Sequence, residues 1–161
     1  FSRYLKHRID SIGAEQGLVT FREEMRSVTA YADINIVQLG DRLKVEYDLD
    51  ALDFRIPVLT VQPIVENAII HGIKPKAEGG TVRVVSYETA QFFRVVVEDD
   101  GVGFEINEAK KHTSVGMHNI LTRLGRYKDC SMSIISGKGK GTVVTLDFSK
   151  KMEAAVENNT R

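Results

Sequence analysis

Val65-Glu66-Asn67-Ala68-Ile69-Ile70-His71-Gly72 decides how this chain reads. The stretch is apolar apart from one polar edge, and Asn67 and His71 are spaced so that a helix sets them one turn apart on that edge. Pro57 bars a helix from running through Ile56. The helix is therefore expected to begin near Thr60, with Pro63 in its first turn, where a missing N–H does no harm. Val61, Ile64, Val65, Ala68 and Ile69 form its buried side, and Gly72 or a residue shortly after it ends the run. What the polar edge faces is the functional question.

Upstream, Thr20 and Glu23 in T-F-R-E form a capping box, which satisfies free amides at a helix start. Behind it Phe21, Met25, Val28, Ala32 and Leu39 recur at helical spacing, with Tyr31, Ile34 and Val37 widening the stripe. This predicts a helix over Phe21–Leu39, ended by Gly40, with its apolar face packed on its own domain or a sister helix rather than on a cofactor. Phe1–Ile12 is basic and amphipathic and reads as the tail of a helix. Leu43–Leu49 alternates apolar and polar residues, as a half-buried strand does. Asp50–Ile56 reads as a polar turn.

Downstream, Lys74–Gly80 is a loop by composition. Thr81–Thr89 and Phe92–Glu98 are strands, and the short Ala90–Gln91 link makes them an antiparallel hairpin. Asp99–Gly103 is a Gly-rich turn, and Phe104–Val115 is a polar, flexible loop. Met117–Tyr127 has helical spacing, and Ser131–Ser136 and Thr142–Phe148 are strands around the Gly137–Gly141 turn. From Ser149 the polar tail is expected to fray. These elements predict an α+β class: a two-layer α/β sandwich whose mixed, largely antiparallel sheet is covered on one face by helices.

The chain has 161 residues, 42% of them hydrophobic and 27% charged, which fits a globular domain with a real core. Lys+Arg and Asp+Glu balance at 22 each, so no nucleic-acid partner is expected. Cys130 stands alone, which excludes an internal disulfide and fits a reducing compartment. No Cys/His cluster suggests zinc, no apolar run approaches the roughly 18 residues of a membrane span, and no signal peptide opens the chain. Without an initiator Met, the sequence reads as a piece of something longer.

Each glycine motif alone is a common turn; their order is specific. An Asn-bearing helix comes first, then D-D-G-V-G-F (Asp99–Phe104), then V-G-M-H-N (Val115–Asn119), then G-K-G-K-G-T (Gly137–Thr142). In this order the chain resembles the ATPase superfamily shared by gyrase, mismatch-repair ATPases, the large heat-shock chaperones and histidine kinases. Val65–Gly72 matches its N box and the other three its glycine boxes. Within it, L-T-V-Q-P-I-V-E-N-A-I-I-H-G-I (Leu59–Ile73) resembles the sensor histidine kinases of the LytS type. Tyr31, G-D-R-L (Gly40–Leu43) and N-I-L-T-R-L (Asn119–Leu124) extend the likeness over Thr20–Phe148.

The resemblance implies a Bergerat-type fold that binds ATP and Mg²⁺. Residues 1–42 would be the end of the dimerisation and phosphoacceptor helices, 43–148 the ATP-binding domain and 149–161 a tail. Asn67 would supply one oxygen to Mg²⁺, which otherwise keeps waters and phosphate oxygens. Asp99, an acceptor only, suits the exocyclic amine of adenine. Gly101 and Gly103 would let the ligand approach the backbone, and Gly116 at a helix start would present amides to phosphate. Gly139, Gly141 and Thr142 would shape the adenine end, the Thr142 hydroxyl supporting Asp99 directly or through water, and His71 and Lys74 would complete the nucleotide wall.

Three departures stand out. Ile70 occupies the position where relatives commonly carry Lys or Arg, so phosphate charge would come from Lys74 or from Lys110 and Lys111. Ser114 replaces the first glycine of the second box. Pro63 stands where gyrase-like ATPases keep a water-activating Glu, which favours phosphotransfer over hydrolysis. The family's P-H-F-L-F-N acceptor segment does not occur. His7 reads as a surface histidine, and His112 and His118 as loop or cap residues within reach of phosphate. The expected function is phosphotransfer to an upstream histidine of the same or a sister chain and onward to a response regulator. The full-length protein would be a homodimer held at the bacterial inner membrane, with this domain in the cytoplasm. A degenerate nucleotide-binding dimerisation module and a gyrase-like ATPase are the alternatives.

Overall fold

In the computed structural model the described residues are 17–105, 115–127 and 129–150. The expected helix tail with His7, the part of the expected Phe104–Val115 loop that carries Lys110, Lys111, His112 and Ser114, and the tail beyond residue 150 lie outside them. The order is β1 (Leu18–Thr20), α1 (Phe21–Leu39), a 3₁₀ turn (Gly40–Arg42), β2 (Leu43–Leu49), β3 (Arg55–Pro57) and α2 (Gln62–Asn67). A π-helical segment (Ala68–Ile73) follows, then β4 (Gly80–Glu88), β5 (Phe92–Asp99), α3 (Val115–Leu124), β6 (Cys130–Gly137) and β7 (Gly141–Ser149).

The five-stranded sheet runs β2-β4-β5-β7-β6, and β1 pairs with β3 in a separate two-stranded ribbon. β2 and β4 are parallel, and the other pairs of the large sheet are antiparallel. The expected mixed, largely antiparallel α+β class is therefore what the chain adopts. Alternation places Val82, Val84, Val95, Val97, Val144, Leu146 and Phe148 on the core face, where Phe21, Met25, Val28, Ile64, Val65, Ile69, Ile120 and Leu124 of the helices cover them. On the open face Arg94 pairs with Asp147 through two hydrogen bonds of 2.6 and 2.7 Å.

The capping box is present in both directions. The Glu23 amide donates to Thr20 Oγ1 at 3.1 Å, and the Thr20 amide donates to Glu23 Oε2 at 2.8 Å. Packing then departs from the expected stripe. Ile34 and Val37 are 55% and 84% exposed, so they do not widen it. The buried arc is completed instead by the polar Glu24 and Asn35. The helix thus packs within its own domain, and its core residues share one cluster with the sheet.

Asp50–Ile56 is also more than a turn. Val19 pairs with Ile56 across the β1–β3 ribbon, and Phe54 and Ile56 are buried. The Phe54 ring stacks on Phe21 and Phe93 at centroid distances of 5.0 and 4.6 Å. A ring so buried stabilises by about 1.5–3 kcal/mol, enough to draw this polar stretch inward.

Candidate functional site

The site is built around the carboxylate that ends β5. Asp99 is 6% exposed and pairs in register with Val82 on one side and Thr142 on the other. The Gly101 amide donates to its Oδ1 at 2.9 Å. Burial pushes its carboxyl up to about 6, opposed by the amides of Gly101 and Thr142 and reinforced by the charges of Asp100 and Glu98. Near neutral pH it is a buried, ionised acceptor with lone pairs to spare. Asp100 serves the fold instead: its Oδ1 accepts from the Thr81 amide at 2.8 Å, and its carbonyl accepts from Lys76 Nζ at 2.8 Å.

Glycine lets the N box meet this carboxylate. A Cβ on Gly72 would sit 2.6 Å from Asp99 Oδ1, and one on Gly101 would sit 2.3 Å from the Gly72 carbonyl carbon. Backbone therefore packs on backbone, and the Val102 amide donates to the Gly72 carbonyl at 3.0 Å. From the third box, Gly141 at φ +76° lies against the Asp99 carbonyl, where a Cβ would come within 1.9 Å. The Gly139 amide donates to the Val102 carbonyl at 2.6 Å. N box, first box and third box are thus stitched together around Asp99.

The helix after Asn67 is not α-helical. Ala68–Ile73 is a π-helical turn, and the Lys74 amide donates five residues back, to the Ile69 carbonyl, at 2.9 Å. Such wide turns recur at functional sites; no residue pattern in the sequence announced this one. Asn67 closes α2 half-buried, whereas His71 and Lys74 are exposed and Ile70 is 40% exposed. Gly103 lies in the first-box turn, Gly116 is the second residue of α3, and His118 is exposed on that helix. The Thr142 hydroxyl lies 2.9 Å from Ser136 Oγ, and its backbone amide supports the Asp99 carboxylate. A cavity of about 450 Å³ opens against Gly101 and Gly139, bordered by Pro75, Lys76, Val102 and Lys138.

Glu24 lies on the buried face of α1. This residue interrupts the apolar spacing of α1, a signal that a charge sits on a core face. Its Oε1 accepts from the amides of Val61 and Gln62 at 2.5 and 3.1 Å, capping α2 from a neighbouring helix. Burial pushes its carboxyl up to about 7, against the pull of the amides of Gln62, Val61 and Thr60 and the Arg123 charge. Among the described residues no cluster of three or more His, Cys, Asp or Glu is placed to hold a metal.

No family model matches the chain. Among solved structures, the histidine kinase domain of the blue-light activated kinase from Erythrobacter litoralis EL346 superposes with a TM-score of 0.68 at 22% identity, covering 98% of this chain and 75% of that one. The histidine kinase ThkA, solved in complex with the response regulator protein TrrA, gives 0.60 at 16% identity over 94% of this chain and 48% of that one. The fold is that of a histidine kinase catalytic domain. Among curated proteins, the sensor histidine kinase YpdA of Escherichia coli (strain K12) is 37% identical over 105 residues, 65% of this chain and 18% of that protein. The uncharacterised protein YwpD of Bacillus subtilis (strain 168) is 30% identical over 154 residues, 91% of this chain and 55% of that one. The sensor protein LytS of Bacillus cereus (strain ATCC 14579) is 29% identical over 154 residues, 87% and 26%. The chain is thus a relative of LytS-type sensor histidine kinases, as its boxes imply, and it spans between about a fifth and about half of the length of these proteins.

Proposed function

We propose that this chain is the ATP-binding catalytic domain of a LytS-type sensor histidine kinase. The observation that carries the reading is Asp99: a buried, strand-end carboxylate around which glycines from three separate segments pack backbone against backbone. The carboxylate accepts the adenine amine. Asn67, at the end of α2, donates its side-chain oxygen to the Mg²⁺ that accompanies the triphosphate. That ion supplies charge neutralisation at the phosphates.

In the whole protein the P–O bond between the γ-phosphorus and its bridging oxygen breaks. A P–N bond forms at an imidazole nitrogen of a histidine upstream of this chain, ADP departs, and the imidazole proton passes to solvent. The phosphoryl group then goes to a response regulator. The ATP-binding domain is read as residues 43–148, with α1 packed on its core, and the dimerisation helices lie on its N-terminal side in a homodimer. The domain lies in the cytoplasm, and the inner-membrane anchor belongs to other parts of the full-length protein. No described helix is long and apolar enough to cross a membrane.

Calorimetric titration with ATP, with and without Mg²⁺, tests the reading: Mg-dependent binding is expected, and its absence would sink the kinase assignment. Incubating the longer chain with labelled ATP is expected to yield acid-labile phosphohistidine. A second reading, a nucleotide-binding module without transfer, draws support from the exposed Ile70 in place of a cation; binding without phosphohistidine would favour it. Pro63 in the first turn of α2 argues against a gyrase-like ATPase, so little hydrolysis by this domain alone is expected.

A further inference from the structure

The N-box helix has no cap of its own. Neither α2 nor the π segment receives a side-chain hydrogen bond from its own capping residue. A helix start leaves free amides and a partial positive charge, and a helix end leaves free carbonyls and a partial negative one. Both ends are met by side chains of α1 and of the 3₁₀ turn that follows it. Glu24, in its first turn, takes the amides of Val61 and Gln62. Arg42, in the 3₁₀ turn directly after it, donates from Nη2 to the carbonyls of Lys74 and Lys76 at 3.1 and 3.0 Å, and from Nε to that of Ala77 at 3.1 Å. Gly79 keeps this end closed, since a Cβ there would come within 2.0 Å of the Arg42 carbonyl oxygen. The front end has a further tie: Arg123 of α3 donates to the carbonyls of Val58 and Leu59, both at 2.7 Å, directly before the Glu24 cap.

We propose that Glu24 and Arg42 are positioning residues that grip the N-box helix at its two ends and fix Asn67 to α1. This rests on the nucleotide reading above and extends it to residues that do not face the nucleotide. A carboxylate is an expensive cap to bury, and Glu24 Oε2 has no hydrogen-bond partner among the described residues. Its charge is matched to the positive end of α2 and to Arg123, which a neutral cap would not be. The planar fork of Arg42 spans three carbonyls, which a lysine ammonium does not reproduce. α1, which leads back to the upstream segment, thereby becomes the handle through which that segment sets Mg-nucleotide binding.

The test compares affinities for ATP with and without Mg²⁺ in Glu24→Gln, Arg42→Ala and Arg42→Lys, alone and combined with Asn67→Ala. Arg83→Ala, which breaks an exposed ion pair with Asp48, is the control. Arg42→Ala is expected to weaken Mg-dependent binding roughly tenfold while changing Mg-free binding less than about threefold. In the Asn67→Ala background the same substitution should add almost nothing. Glu24→Gln, which keeps the acceptor, should lose less than Arg42→Ala, and Arg42→Lys should not rescue. Equal losses with and without Mg²⁺, additive with Asn67→Ala, would reduce the pair to ordinary fold residues and overturn the proposal. If the unaltered chain binds no MgATP, the functional reading fails by itself and hydrogen exchange decides the grip. Amides 68–74 exchanging faster in Arg42→Ala than in the control uphold it, and unchanged exchange overturns it.

Discussion

Among the described residues two carboxylates are buried, Glu24 where α1 meets α2 and Asp99 where β5 meets the N box. Both are raised by desolvation, to about 7 and about 6. Their surroundings differ. One Glu24 oxygen is consumed by two amides, and the acid lies among packed helices. Asp99 is bordered by Gly72, whose backbone packs so close to the carboxylate that a Cβ there would come within 2.6 Å of Oδ1. Burial alone therefore does not mark a ligand site. What sets Asp99 apart is that glycines from three segments pack around it.

The sharpest way to break this comparison is to neutralise each acid in turn. Asp99→Asn presents a donor to the adenine amine and is expected to lower ATP affinity at least a hundredfold, about 2.7 kcal/mol, by calorimetry. Equal losses in Glu24→Gln would erase the distinction. A smaller effect separates the two by pH. Each acid has a folded pKa above its unfolded value, so its contribution to stability is complete below the unfolded value and declines as pH rises. For Glu24 the decline runs from about 4.5 to about 7, and for Asp99 from about 3.8 to about 6. The unfolding free energy from denaturant titrations should fall over this window by several kcal/mol in total, and Glu24→Gln should flatten the upper part. Nucleotide affinity should move oppositely, weakening as pH drops through about 6 and Asp99 takes up its proton. Smallest of all, Ile34→Ser and Val37→Ser on the outer face of α1 should change stability by less than about 0.5 kcal/mol.

The same contrast explains how far the sequence could be read. Phe21–Leu39 and Leu43–Leu49 were legible to the residue because capping, periodicity and alternation agree over their whole length. The glycine order led to Asp99 and to the two turns that pack on it. Leu18–Thr20 and Arg55–Pro57 were not legible, since three-residue strands carry no period and exist only through their mutual pairing. Nor was the Thr142 hydroxyl's partner, because Ser136 reaches it only through the β6–β7 register. Glu24 and Arg42 act across 37 and 32 residues of sequence, beyond any local pattern. Ile34 and Val37 show the converse error, apolar residues that fit a helical repeat yet face outward.

The π turn over Ala68–Ile73 has a consequence for the gene as well as for the fold. A π turn is what an α-helix becomes when it must accommodate one surplus residue. Deleting a single codon between Asn67 and Ile70 would return the segment to α-helical winding while the residues after the deletion, Gly72 among them, keep their phase. The same deletion in the regular winding of α1 would turn everything after it by about 100°. One reading-frame-preserving deletion should therefore be tolerated better in this stretch than in α1, a slack in length that an inventory of residue types does not reveal.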